Sequence, residues 1–226
     1  RPPRSTLSPS SAASDVYKRQ VFVTWPECTR CYDLATKRKL WEVEMTRWSH
    51  PAFPVISCYC DGKLYVIGFN SKLTYCLDAE TGRVLWRHDE DNGHGFYASV
   101  ANGKLVYYYD VSTAVEQELS VVGALDASTG RELWSYKIER GIPGNFYDPY
   151  SVSVAIAYGK VYLVYYDCKA RRATLLCLDL NTGAKVWETK FKTATGVFEP
   201  AVAGGKVYVT VDRGGVYCFD ANTGQM

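Results

Sequence analysis

Four stretches of the chain alternate apolar and polar positions or run continuously through β-branched and aromatic residues. They are KLYVIGF from Lys63, KLVYYY from Lys104, KVYLVYY from Lys160 and KVYVTV from Lys206. Such runs fit a pleated strand and lack the 3.6-residue period of an amphipathic helix. Each starts at a lysine preceded by glycine, in DGK, NGK, YGK and GGK. A glycine there supplies the positive φ of a tight turn between strands. Extended over one period, the pattern predicts a strand at Ala52–Cys58, a turn at Asp61-Gly62 and a second strand at Lys63–Gly68. A short loop leads to a third strand at Leu73–Ala79, and a turn at Thr81-Gly82 leads to a fourth at Arg83–His88. Apolar residues on both strand faces predict that every sheet lies between two others.

The period recurs. CYDLATKRKLW spans Cys31–Trp41, CLDAETGRVLW Cys76–Trp86, ALDASTGRELW Ala124–Trp134 and CLDLNTGAKVW Cys177–Trp187, while CFDANTGQM starts at Cys218. The marker aspartates Asp33, Asp78, Asp126, Asp179 and Asp220 are 45, 48, 53 and 41 residues apart. That spacing exceeds leucine-rich and ankyrin units and fits a propeller blade. The expected fold is therefore all-β, a β-propeller of four-stranded antiparallel blades. About three blades are complete and two partial, forming an open arc with exposed edge strands, which invite aggregation.

Within each copy, the Thr-Gly pair makes a corner whose glycine takes the left-handed conformation. Asp78 and Thr81 are spaced for a side-chain hydrogen bond across it, as are Asp126 and Thr129, Asp179 and Thr182, and Asp220 and Thr223. The tryptophan on the outgoing strand offers a flat ring for burial against the next blade.

The pattern small residue–x–Asp–x–x–Thr–Gly–x–x–x–Trp resembles the tryptophan-docking motif of the quinoprotein-like propellers, whose repeats are called PQQ-like. The resemblance covers Val21 to Met226 and implies membership of a ring that is typically eight-bladed. It also implies that the small residue and the glycine form a slot for a neighbouring indole. The slots are then Cys76/Gly82, Ala124/Gly130, Cys177/Gly183 and Cys218/Gly224, with Trp41, Trp86, Trp134 and Trp187 as plugs. The first copy departs from the pattern, with Lys37 where glycine is expected. The Gly-His and Trp-Asp signatures of WD40 propellers are absent from the sequence.

Residues 1–20 read differently. Ser10–Gln20 resembles the conceptual translation of a transposon-type sequencing adapter, Arg1–Thr6 its outer end, and Leu7–Pro9 an index. This segment is expected to be a non-native disordered tail and is set apart from fold reasoning. The propeller part is expected to occupy 21–226, a fragment of a larger repeat protein, with Met226 falling inside a motif.

Composition narrows the function. With 26 Lys and Arg against 24 Asp and Glu, the formal charge is +2, too even for a nucleic-acid or polybasic membrane surface. No run approaches the roughly 18 apolar residues of a membrane helix. Of the eight cysteines, Cys31, Cys76, Cys177 and Cys218 share the small position that Ala124 fills, so packing explains them. On that basis Cys28-Thr-Arg-Cys31 is a coincidental CxxC. Cys58 and Cys60 read as buried thiols on one strand face, and Cys168 as a loop residue open to a partner elsewhere.

Candidate ligand positions fall on the connections between blades, where a propeller binds. His50 sits beside Trp48 and Phe53, His94 beside Phe96 and Tyr97, Asp148 beside Tyr147 and Tyr150, and Glu199 beside Phe198. Aromatic capping of a central channel explains the same residues. His88 and His94 bracket the acidic run HDEDNGH, read as a solvated connection.

The resemblance implies two function classes. One is a non-catalytic scaffold for protein–protein or ligand binding, as in the barrel-assembly lipoprotein of the outer membrane, with no cofactor. The other is a PQQ-dependent quinoprotein dehydrogenase, which needs PQQ, a calcium or lanthanide held by Glu and Asn or Asp, an Asp base and, in one branch, adjacent cysteines. No Cys-Cys pair occurs in the chain, and no residues match the ligand or base positions. The scaffold reading is preferred, with an unidentified protein or surface ligand as partner and an extracytoplasmic location implied by the family.

Overall fold

The computed structural model describes residues 20–25, 28–45, 55–68, 73–89, 94–111, 118–140, 153–167, 171–193, 196–212 and 214–226. The reading of residues 1–20 as a tail lies outside these residues, apart from Gln20, which opens a strand. All named elements are strands. The first sheet holds β1 (Gln20–Thr24), β2 (Cys28–Asp33) and β3 (Lys39–Glu44). The second holds β4 (Val55–Cys60), β5 (Lys63–Gly68), β6 (Leu73–Asp78) and β7 (Val84–Asp89). The third holds β8 (His94–Ala101), β9 (Lys104–Val111), β10 (Glu118–Asp126) and β11 (Glu132–Arg140). The fourth holds β12 (Ser153–Ala157), β13 (Lys160–Asp167), β14 (Arg172–Asp179) and β15 (Lys185–Lys192). The fifth holds β16 (Ala201–Ala203), β17 (Lys206–Val211) and β18 (Gly215–Asp220).

Each sheet is an antiparallel meander in chain order, so the architecture is an unclosed series of propeller blades, three of them four-stranded and two three-stranded. The predicted strands of the second sheet shift slightly. The strand expected at Ala52–Cys58 is described from Val55 and runs on to Cys60, its first three residues lying outside the described residues. Arg83–His88 becomes Val84–Asp89, because the ladder starts at Leu77–Val84, one residue beyond the corner glycine's neighbour. The hairpins at Asp61-Gly62 and Asn102-Gly103 have positive φ at both central residues, as type I′ turns require.

Each of the four joints between sheets has its own apolar cluster. Leu64, Val66, Tyr75 and Leu77 pack on Phe22 and Cys31; Tyr65, Cys76 and Trp86 pack on Ala98, Val100 and Leu105. Val122, Ala124 and Trp134 pack on Val161, Leu163 and Leu178; Tyr162, Leu175 and Cys177 pack on Val207, Val209 and Phe219. Even-numbered and odd-numbered residues of one strand thus serve opposite neighbours, as the pleat dictates.

The tryptophans cross these joints. A Cβ placed on Gly82 would lie 2.7 Å from the ring of Trp41, and on Gly130, Gly183 and Gly224 2.5 Å from Trp86, Trp134 and Trp187. Each indole N–H also donates to a carbonyl of the next sheet. Trp41 bonds Ala79 at 3.1 Å, Trp86 bonds Ala127 at 3.2 Å, Trp134 bonds Leu180 at 2.9 Å and Trp187 bonds Ala221 at 3.3 Å.

The slot itself needs correction. Cys76 does not wall the slot of Trp41. It pairs across the ladder with Trp86 of its own sheet and packs toward the third sheet. Cys31, Ala124 and Cys177 likewise oppose Trp41, Trp134 and Trp187. Leu77 and Ala79, one step out of phase with Cys76, face the Trp41 side instead. The ring therefore lies between the small residue of its own sheet and the glycine of the next. The same alternation removes Cys218 from the slot at Gly224, where it is exposed.

The corner aspartates hold the glycines in position. Asp78 accepts from the amide and hydroxyl of Thr81 at 2.8 and 2.7 Å, and the other copies repeat this. These bonds hold the carboxyls below their usual range. The Thr81 and Thr129 hydroxyls lead for Asp78 and Asp126, the Thr182 amide for Asp179, and the Asn222 amide for Asp220.

Four outcomes follow from this geometry and from the corner bonds. Gly103→Ala meets no neighbour within 4 Å but keeps a φ of +71°, and should cost about 1–2 kcal/mol. Gly130→Ala has the same backbone and a ring in the way; it should cost a further ~1–3 kcal/mol in urea unfolding. Trp134→Ala should cost about 3–5 kcal/mol, and an unchanged melting temperature would rule out docking as a source of stability. Depressed carboxyl pKa values give stability that is present above the unfolded value and lost as pH falls through the folded one. Unfolding measured below about pH 4 should therefore steepen against pH, and less so in Thr129→Val.

Candidate functional site

Because each sheet is a meander, its connections divide between two ends. One end carries the hairpins between first and second strands and the Thr-Gly corners between third and fourth. These turns are tied to one another: Ala79 N–H donates to Gly62 at 2.9 Å, Ala127 to Gly103 at 2.9 Å, Leu180 to Gly159 at 3.0 Å and Ala221 to Gly205 at 2.9 Å. The corner aspartates at this end are already engaged by their own turns.

The other end carries the second-to-third loops and the connections from one sheet to the next. It includes the twelve residues 141–152, which lie between β11 and β12. The first strands β4, β8, β12 and β16 lie side by side in series, so their starting ends line one rim. Loops mounted on rigid strands are the usual place for binding, and this rim is the candidate site.

The four candidate residues share this topological position. His50 and Asp148 each stand five residues before a first strand, β4 and β12, and lie outside the described residues. His94 is the first residue of β8, with its side chain also outside the description. Glu199 is two residues before β16 and half-buried. Its segment is pinned to the fifth sheet by a bridge between Val197 and Val211 and by the Phe198 N–H donating to Thr210 at 2.8 Å. Phe198 is 45% exposed, so an aromatic face beside a carboxylate is open to a ligand.

The thiols have other surroundings. Burial pushes Cys31 up to about 11, and Cys76 and Cys177 up to about 12, well away from nucleophilic or metal-binding behaviour. Cys28 and Cys31 pair with Glu44 and Trp41 on opposite strand faces of β2, which does not suit a shared ligand. Cys58 and Cys60 are half-buried rather than buried, packed at the margin of the cluster between the second and third sheets. Cys168 lies outside the described residues. Among the described residues, no group of three His, Cys, Asp or Glu could hold a metal ion.

One device was not read from the sequence. The Tyr65 hydroxyl donates to Ala127 at 3.0 Å and the Tyr162 hydroxyl to Ala221 at 3.0 Å. Each shares its carbonyl with a docked indole. The third residue of the Lys-Leu-Tyr and Lys-Val-Tyr runs was the available signal.

Comparison with known proteins matches the family model described as "Outer membrane protein assembly factor BamB" to residues 29–139 and 118–226. The dehydrogenase subunit of a quinone alcohol dehydrogenase from Gluconacetobacter polyoxogenes is 32% identical over 165 residues, covering 57% of this chain and 21% of that protein. The corresponding subunit from Gluconobacter oxydans is 32% identical over 166 residues, with the same coverage. The chain thus spans about a fifth of the length of these relatives. A quinohemoprotein alcohol dehydrogenase from Comamonas testosteroni shares the fold, with a TM-score of 0.63 at 16% identity over 91% of this chain and 40% of that one. Family match, repeated docking geometry and blade topology converge: this chain belongs to the PQQ-like repeat β-propeller family described by the BamB model.

Proposed function

We propose that the chain is part of a rigid, non-catalytic propeller platform that binds a protein or surface ligand through the rim of loops around Glu199 and the starts of β8, β12 and β16. The observation that carries the reading is the asymmetry between the two ends. The described turns at one end are short and internally bonded, whereas the connections that lead into β4, β12 and β16 are longer and carry aromatic and ionisable residues in their sequence. Its family description, an outer membrane assembly factor, supports a protein partner and an extracytoplasmic location. No helix among the described residues is long and apolar enough to cross a membrane.

The identity to quinone alcohol dehydrogenase subunits supports a second reading, a PQQ-dependent dehydrogenase. It requires the quinone and metal site to be built largely by parts of the protein outside this chain. Membership of a fold does not decide between the two.

Two measurements on the full-length protein separate them. A photocrosslinking residue at position 198 should trap a partner in the native cell envelope, and one at position 80, on the corner side, should not; equal capture at both would count against the rim. After incubation with PQQ and calcium and then desalting, the platform reading expects no retained quinone absorbance and no alcohol-dependent dye reduction. Stoichiometric quinone with activity would put the dehydrogenase first.

A further inference from the structure

Four of the five sheets present, on the side facing the preceding sheet, a corner glycine with an indole against it. The first sheet presents Lys37. Its φ is 60°, and its N–H donates to the Asp33 carbonyl at 2.9 Å, as Gly82 does to Asp78 at 2.8 Å. The corner backbone is thus preserved while a Cβ occupies the space that lies 2.5–2.7 Å from ring atoms at the other four corners. An indole cannot lie there in the same way.

The surrounding face is also unlike its counterparts. Relative to the small residue of each motif, Arg30 stands where Tyr75, Gly123, Leu176 and Tyr217 stand. Tyr75 and Leu176 are buried against the preceding sheet. One terminal nitrogen of Arg30 donates to Glu42 at 3.1 Å, and Lys39 bonds the same carboxylate. Arg30 Nε, however, is buried with no hydrogen-bond partner. The Arg30 side chain as a whole is 37% exposed and paired with Glu42, so it is this one N–H that still calls for an acceptor.

We propose that this face forms a tryptophan-free, acid-mediated joint: it takes a neighbouring propeller sheet that offers a carboxylate to Arg30 and Lys37 and carries no indole at the plug position. Continuity with the other joints selects the occupant, since every other such face is covered by a sheet of the same kind. Charge selects its chemistry, since an arginine with an unpaired donor and a lysine have replaced an apolar residue and a glycine. The proposal is independent of whether the rim binds a partner or a cofactor.

Zero-length carbodiimide coupling of the full-length wild-type protein, followed by peptide mass spectrometry, tests it. The Lys37 amine and a carboxylate condense to an amide with loss of one water. The expected product is an intramolecular link from Lys37 to an Asp or Glu on a propeller strand outside residues 20–45, with a fall in melting temperature in Arg30→Leu. A link between two isotopically distinguished copies, a link to an unrelated protein, or no link outside residues 20–45 would overturn it. So would an unchanged or raised melting temperature in Arg30→Leu.

Discussion

Each joint between neighbouring sheets rests on an indole laid against a glycine peptide, with its N–H aimed at the carbonyl just past the corner aspartate. The contact has three requirements that must be met together. The glycine must lack a Cβ and hold a positive φ, the aspartate and threonine must fix the corner, and the strand opposite the tryptophan must carry a small residue beneath the ring. Burial of a large aromatic surface supplies the energy, while the hydrogen bond sets the orientation. Where a tyrosine from the same sheet reaches the same carbonyl, as at Ala127 and Ala221, two donors fix one atom. Val106 stands where that tyrosine would be, and there the Trp134 N–H donates to Leu180 at 2.9 Å.

Because every cluster spans only adjacent sheets, stability is built from intrinsic sheet terms and nearest-neighbour terms, as in other repeat proteins. Tight joints and engaged turns keep the frame stiff, leaving variation in shape and chemistry to the loops. A stiff frame with a variable rim suits either a binding platform or, with further blades, a cofactor cradle, and this explains how one family holds both kinds of relative.

Much of the fold was legible in the sequence because period, turn glycines and corner aspartates are local signals. The all-β repeat, the four-stranded meander and the indole positions all rest on them. The identity of the slot wall was harder to read. Cys76 and Leu77 are neighbours in sequence but face different sheets, and the register shift between them obscures the phase. The tyrosine hydroxyl bonds bridge 62 and 59 residues and leave no short-range mark. The candidate rim was legible only as composition, since His50, Asp148 and Glu199 precede their strands and His94 only opens one, where no strand period marks them.

The division between the two ends also governs how such a chain can change. From aspartate to tryptophan every complete corner has the same length, whether Asp33 to Trp41 or Asp179 to Trp187, and from the second sheet to the fifth each first hairpin has two central residues. The differences among the repeat lengths therefore enter through the rim and the strand ends that reach it. Insertions can accumulate at that end without disturbing a joint, because loop length is a weak thermodynamic constraint. Lineages of this architecture can thus acquire new specificities from one side while the other stays nearly constant.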